Sequence, residues 1–155
     1  MENHHTHAGR RSLILGISGQ DGHYLAEQLL AKGYEVHGVV RRAAHGRQTG
    51  YGAEAAVLDS RVTLHRGDLD DLASLLRIVR EVAPHEIYNF GTHGCDADSF
   101  EEPEHALLTD GLGSLHLLEA IRLSGRQGDI RYFQATSAAV FGGAVEVPLT
   151  EAAAF

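Results

Sequence analysis

The chain has 155 residues, enough for one domain with a core of its own. Its formal charge of -8 argues against a broad basic footprint for nucleic acid. A single cysteine, Cys95, excludes an intrachain disulfide and suits a reducing cytoplasm. No apolar run approaches the roughly 20 residues of a membrane span, and residues 1–10 lack the apolar stretch of a signal peptide.

Residues 1–11, with His4, His5 and His7, read as a solvated, disordered tail, and no metal site is assigned there. One domain is expected over residues 12–155. In chain order, an apolar strand is predicted at 13–17, a helix at 22–32 stopped by Gly33, and a strand at 35–40. A Gly-rich loop follows at 43–52, then a short helix at 53–58 and a strand at 62–65. A helix after Asp70 carries Leu72, Leu75, Leu76 and Val79 on one face, and Pro84 closes it. A strand at 86–90 leads into a loop at 91–102 rich in glycine and acidic residues. The last elements are a helix at 103–123, with Leu107, Leu108, Leu115, Leu118 and Ile121, and a strand at 130–135. Alternating strands and helices predict a doubly wound parallel α/β sheet of the Rossmann type. Five strands are present, where such a sheet commonly has six.

The stretch SLILGISGQDG, residues 12–22, carries the first chemistry. An apolar strand runs into Gly16, Gly19 and Gly22, and a helical pattern follows at once. Gly16 permits the turn out of the strand, Gly19 lets a pyrophosphate approach the backbone, and Gly22 lets the helix lie close. The first helical N–H groups then face the phosphates. The alternative is a strand-to-helix turn that needs glycine for geometry alone.

About twenty positions beyond, an NAD-selective fold places an acidic residue on the ribose hydroxyls. Here Arg41 and Arg42 stand instead. Two guanidinium groups suit a 2′-phosphate, so NADP is preferred over NAD. The competing reading is solvated charge at a strand end. Asp68 and Leu69, after the third strand, suit contact with an adenine. Asp68 can equally cap the next helix, a role open also to Asp70 or Asp71. Phe90, Gly91 and Thr92 leave the fourth strand at the carboxyl edge, where ligands bind in such sheets. Ser137, in FQATSAAVFGG, either offers its hydroxyl to a substrate oxygen or serves as a helix-cap or turn serine.

From Ser12 onward the chain resembles the GDP-mannose 4,6-dehydratase family of extended short-chain dehydrogenases/reductases. The matching strings are GISGQDGHYLAEQLLAKGYEVHGVVRR, LHRGDLDD, PHEIYNFG, DGLGSLHLLEAIR and RYFQATS. The likeness spans nearly all of the chain after the tail and corresponds to the N-terminal portion of such an enzyme. It implies NADP contacts from Gly16, Gly19, Gln20, Asp21, Gly22, Arg41, Asp68, Leu69, Phe90, Gly91 and Thr92. It also implies a nucleotide sugar, GDP-mannose, as substrate. In this family a tyrosine, helped by a lysine four residues on, takes the C4 hydroxyl proton. A glutamate takes the C5 proton.

Three departures stand out. The family glutamate falls on Ala139, no Tyr-x-x-x-Lys occurs, and the loop HGCDADS adds Asp96 and Asp98 near an anionic site. The run SAAVFG is similar to that of sugar-nucleotide 4-epimerases. These features predict weak or no dehydratase activity from these residues. The alternatives are a divergent epimerase or reductase, and a non-catalytic NADP(H)-binding module or partner subunit. A fragment without a role of its own is the third. An uncovered outer side of the fifth strand predicts self-association, or association with a complementary subunit.

Overall fold

A computed structural model of the chain describes residues 7–41, 58–92, 100–142 and 148–153. Its strands are β1 (Arg11–Leu15), β2 (Glu35–Val40), β3 (Thr63–Arg66), β4 (Glu86–Asn89) and β5 (Arg131–Gln134). All pair in parallel, in the order β3-β2-β1-β4-β5. That is the expected doubly wound sheet. Its strand order reverses beside β1, which opens a crevice at the carboxyl ends of β1 and β4.

Both faces of the sheet are covered, which explains the unbroken apolar run at Leu13, Ile14 and Leu15. Helix α1 (Gln20–Ala31) buries Ala26 and Leu29 against one face, with Ile14, Val36 and Val40. Helices α2 (Leu72–Val82) and α3 (Gly113–Leu123) cover the other. There Leu75, Ile78, Val79, Leu117 and Ala120 pack on Leu13, Leu15, Val39 and Ile87.

Most element ends shift by one or two residues, and three differences from expectation have a physical cause. β1 ends at Leu15 rather than residue 17, because Gly16 turns the chain at φ +74. The predicted helix over 103–123 is helical but not uniform. It opens with one turn at Pro103–Ala106, winds as a π-helix over Leu107–Leu112 and ends as α3. The sheet also begins before residue 12. Arg11 is in β1, the His7 N–H donates to the Lys32 carbonyl at 3.1 Å, and the Glu35 N–H donates to the Arg10 carbonyl at 2.9 Å. These backbone bonds draw residues 7–11 onto the sheet, so a tail over 1–11 is too long. The loop at 43–52, most of the helix at 53–58, residues 93–99 and His4 and His5 lie outside the described residues. Among the described residues no helix is long and apolar enough to cross a membrane.

Two polar clusters are built into the sheet. At its amino edge, Glu86 is buried and accepts from Tyr34 at 3.3 Å and Tyr88 at 2.8 Å, with Arg10 3.2 Å away. Burial, with the adjacent Glu86, raises the pKa of Tyr88 well above the ordinary tyrosine range. On β2 and β3, His37 Nδ1 and His65 Nε2 lie 3.0 Å apart. His37 Nε2 is 3.1 Å from Glu35, and His65 Nδ1 is 3.9 Å from Glu81 on α2.

Burial, and then His37, holds the His65 imidazole below its ordinary value of 6.5, against the pull of Glu81; Arg77 lowers it further. The unfolded chain therefore takes up the proton first as pH falls through that value, and the folded state loses stability from there downward. The urea midpoint is expected to be flat between about pH 8 and 7 and to fall toward about pH 5. His65→Gln should flatten that fall. An equal acid fall in the variant would show that other groups cause it.

Candidate functional site

The crevice is set by the turn between β1 and α1. A Cβ at Gly16 would lie 2.7 Å from the Phe90 carbonyl carbon and 2.9 Å from the Gly91 nitrogen. The end of β4 thus crosses directly against this turn. A Cβ at Gly22 would lie 2.4 Å from the Gly16 carbonyl oxygen, so α1 starts as close to β1 as backbone allows. Gly19 is the N-cap of α1, extended at φ -75, and supplies no side-chain cap. The His23 N–H is taken by the Gly19 carbonyl at 2.9 Å. The N–H groups of the first turn have no such partner within the helix, which leaves a positive helix end at the crevice.

Two adjoining hollows occupy the crevice. The first, about 280 Å³, is lined by Gly16, Gly19, Arg41, Asp68, Leu69, Phe90, Gly91 and Thr92, all expected, with Ser18 and Thr109 among the rest. The second, about 390 Å³, shares Phe90, Gly91 and Thr92 and is bounded by Asp21 and Ser137. Together they make a cleft of the size that small-molecule sites have, with Arg41 lining the first hollow and Asp21, Asp110, Thr136 and Ser137 lining the second. Gln20 and Gly22 line neither. Gln20 opens α1, and Gly22 is buried beneath the turn.

The capping alternatives at the third strand are resolved by geometry. Asp71 is the N-cap of α2, its carboxylate accepting from the Ser74 N–H at 3.1 Å. Asp68 is thereby left to face the first hollow. Burial, then Asp70, raises its carboxyl pKa above the ordinary 3.8, and Arg41 opposes that rise. Arg41 lines the first hollow and is exposed at the end of β2. The Ser137 carbonyl accepts from the Val140 N–H at 3.1 Å at the start of a short 3-10 helix, Ala138–Phe141. Ser137 therefore makes a turn and also lines the second hollow.

Sequence reasoning missed a second set of residues. Asn89 is fully buried, its Oδ1 accepts from the Gly91 N–H at 3.0 Å, and its Nδ2 donates to Gln134 Oε1 at 3.0 Å. The same Gln134 oxygen accepts from Ser114 at 3.2 Å and from Tyr132. This knot fixes the β4 end to β5 below the second hollow. Thr109 and Asp110 reach the cleft from the π-helix. A uniform 3.6-residue reading does not indicate their placement, and a π segment itself often marks a functional site. Asn89 and Gln134 were legible only as strand residues, though both stand in the quoted motifs PHEIYNFG and RYFQATS.

The strand order and the glycine corner together define a Rossmann-type α/β protein. The family model for GDP-mannose 4,6 dehydratase matches residues 13–155. The chain is 44% identical over 149 residues to GDP-mannose 4,6-dehydratase of Vibrio cholerae, covering 94% of this chain and 40% of that relative. It is 42% identical over 149 residues to the human GDP-mannose 4,6 dehydratase, covering 93% and 40%. The chain belongs to the GDP-mannose 4,6-dehydratase family. It spans about 40% of the length of these curated relatives. Among solved structures, an epimerase of Methanothermobacter thermautotrophicus superposes with a TM-score of 0.76 at 25% identity, covering 94% of this chain and 41% of the other. A Thermus thermophilus UDP-glucose 4-epimerase in complex with NAD gives 0.62 at 30% identity, covering 74% and 34%.

The glycine contacts predict losses of unequal size at two nearby positions. Gly22→Ala forces a methyl against a backbone oxygen and should cost about 1–3 kcal/mol of stability, as overpacking does. Gly19→Ala meets the same oxygen at 3.2 Å, with an ordinary φ, and should cost less than about 1 kcal/mol. Thermal or urea unfolding of both variants checks the ranking. Equal losses would show that the close approach at Gly22 is not what limits the packing.

Proposed function

We propose that this chain forms the NADP(H)-binding portion of a nucleotide-sugar 4,6-dehydratase-type enzyme. One observation carries the reading: the uncapped start of α1 opens on a cleft that Arg41 also lines. The backbone fits a dinucleotide, since Gly16 and Gly22 leave no room for side chains where turn, helix and β4 converge. The first-turn N–H groups of α1 would hold the pyrophosphate, with Gly19 giving access. Arg41 would take a 2′-phosphate through charge-assisted bonds, which favours NADP over NAD. Asp68 would accept from an adenine amino group, and Leu69 would form the apolar wall beside it. The Thermus thermophilus relative, in complex with NAD, supports a nicotinamide dinucleotide as the class of cofactor.

The second hollow suits the reactive end. When bound, the nicotinamide ring supplies a hydride acceptor and donor. Ser137 would offer its hydroxyl to a sugar oxygen, and Phe90, Gly91 and Thr92 would separate the two hollows. The names of the relatives make GDP-mannose the substrate to test first. Position 139 is alanine, so no carboxylate is available there to remove the C5 proton. Absence of a general base costs roughly 10²–10⁴-fold, and weak or no dehydration is expected of these residues alone. The same alanine favours a second reading, an epimerase or reductase, because inversion at C4 needs no base at C5. A non-catalytic NADP(H)-binding partner subunit would need neither. Exposed Leu107 (67%), Leu115 (57%) and Leu118 (46%), and Phe133 (49%) on edge strand β5, would favour association with a second copy or a complementary chain.

Fluorescence titration should show NADPH bound more tightly than NADH, and Arg41→Ala should reduce that preference by about tenfold or more. Equal, weak binding of both would count against the 2′-phosphate site. The same protein, incubated with NADP and GDP-mannose, should form little or no 4-keto sugar, and rapid turnover would rule out the non-catalytic reading. A monodisperse monomer on sizing would argue against association.

A further inference from the structure

Leu69 stands where the first hollow meets the core. Its side chain is 7% exposed and packs with the α2 and α3 cluster, yet it lines the cleft. Two glycines form its socket. A Cβ at Gly91 would lie 2.7 Å from Leu69 Cδ1, and one at Gly113 would lie 2.8 Å from Leu69 Cβ. The backbone on either side is tied as well. The Asp68 N–H donates to Ser74 Oγ at 3.2 Å, and the Asp68 carbonyl accepts from the Asp71 N–H at 3.2 Å. Those two bonds hold the segment to α2. From α3, His116 Nδ1 lies 2.9 Å from the Leu69 carbonyl oxygen. A carbonyl accepts only, so Nδ1 carries the proton and donates.

We infer that His116 is a positioning residue for the adenine end of the cleft. Its Nδ1–H holds the Leu69 carbonyl, and so sets where the wall made by Asp68 and Leu69 stands relative to Gly91. His116 does not line the hollow, so it acts through Leu69 and not on a ligand. The bond spans 47 positions of sequence and joins the loop after β3 to α3. Loss of the donor leaves a part-buried carbonyl without that partner and frees the wall to shift. The inference rests on the proposed cofactor reading for this cleft.

The test compares His116→Phe, which keeps a ring and removes the donor, with His116→Asn, whose amide can donate from a similar place. Each is titrated in the full chain with NADPH and with 2′,5′-ADP, which carries only the adenine end. His116→Phe should weaken both by about three- to tenfold, and His116→Asn should stay within about twofold of the parent. Should His116→Phe fail to fold, Gly113→Ala presses the same Leu69 and should weaken 2′,5′-ADP by a similar factor. Unchanged 2′,5′-ADP binding in His116→Phe or Gly113→Ala overturns the inference, as does equal loss in the Phe and Asn variants. A parent chain that binds neither ligand overturns the cofactor reading itself, and the inference with it.

Discussion

The structure depends on one close approach of backbone to backbone. The start of α1 lies so near the end of β1 that a single methyl at Gly22 would overlap the Gly16 carbonyl. Gly16 in turn lies against the end of β4. Three chain segments therefore converge within van der Waals contact, and none can come closer. This convergence aims the helix N-terminus at the crevice and puts Phe90 and Gly91 at its floor. The apolar core behind it, from Leu13 to Leu15 and across to Ile78 and Leu117, is what presses the segments together. Burial of these side chains is non-directional and sets no such detail. Direction comes from the glycines.

The electrostatics of the cleft are mixed, and that bears on what it can hold. A phosphate at the α1 terminus gains from the helix dipole but meets Asp21 in the first turn. Asp68 and Arg41 both line the first hollow. An anion arriving at Arg41 would find the Asp68 carboxylate bordering the same hollow. At the other end Asp110 and Asp21 border the second hollow together with neutral Ser137, Thr136 and Gln134. The cleft is thus most welcoming to negative charge at its middle and at the Arg41 end. Any nicotinamide dinucleotide carries its pyrophosphate at its middle.

Much of this was legible in the amino-acid order. The five strands lie where apolar runs and breaking residues placed them, because a sheet covered on both faces needs unbroken apolar strands. The glycine corner was legible because three positions each answer to a separate steric demand. The cap at Asp71 was not, since Asp68, Asp70 and Asp71 offer the same chemistry within one turn, and only the fold decides among them. The N-terminal boundary was misjudged because His7 and Arg10 are held by backbone bonds, which side-chain identity does not encode. Thr109 and Asp110 were missed for a different reason: one π-helical stretch shifts the face that each residue presents. Buried amides such as Asn89 are hard to foresee, because their partners come from distant strands.

The carboxylate of Glu86 has a consequence for how the N-terminus can be trimmed. It sits inside the amino edge of the sheet, at the foot of β4, and draws its counter-charge from Arg10, a residue ahead of the first strand. Tyr34 and Tyr88 give it hydrogen bonds but no positive charge. A version of the polypeptide cut to begin at Ser12 would keep nearly all of the sheet and every glycine of the corner. It would also remove the ion-pair partner of a buried side chain, which costs more than an exposed pair would. The few residues ahead of β1 are thus the neutralising lid of a central strand, and a shortened clone should retain Arg10.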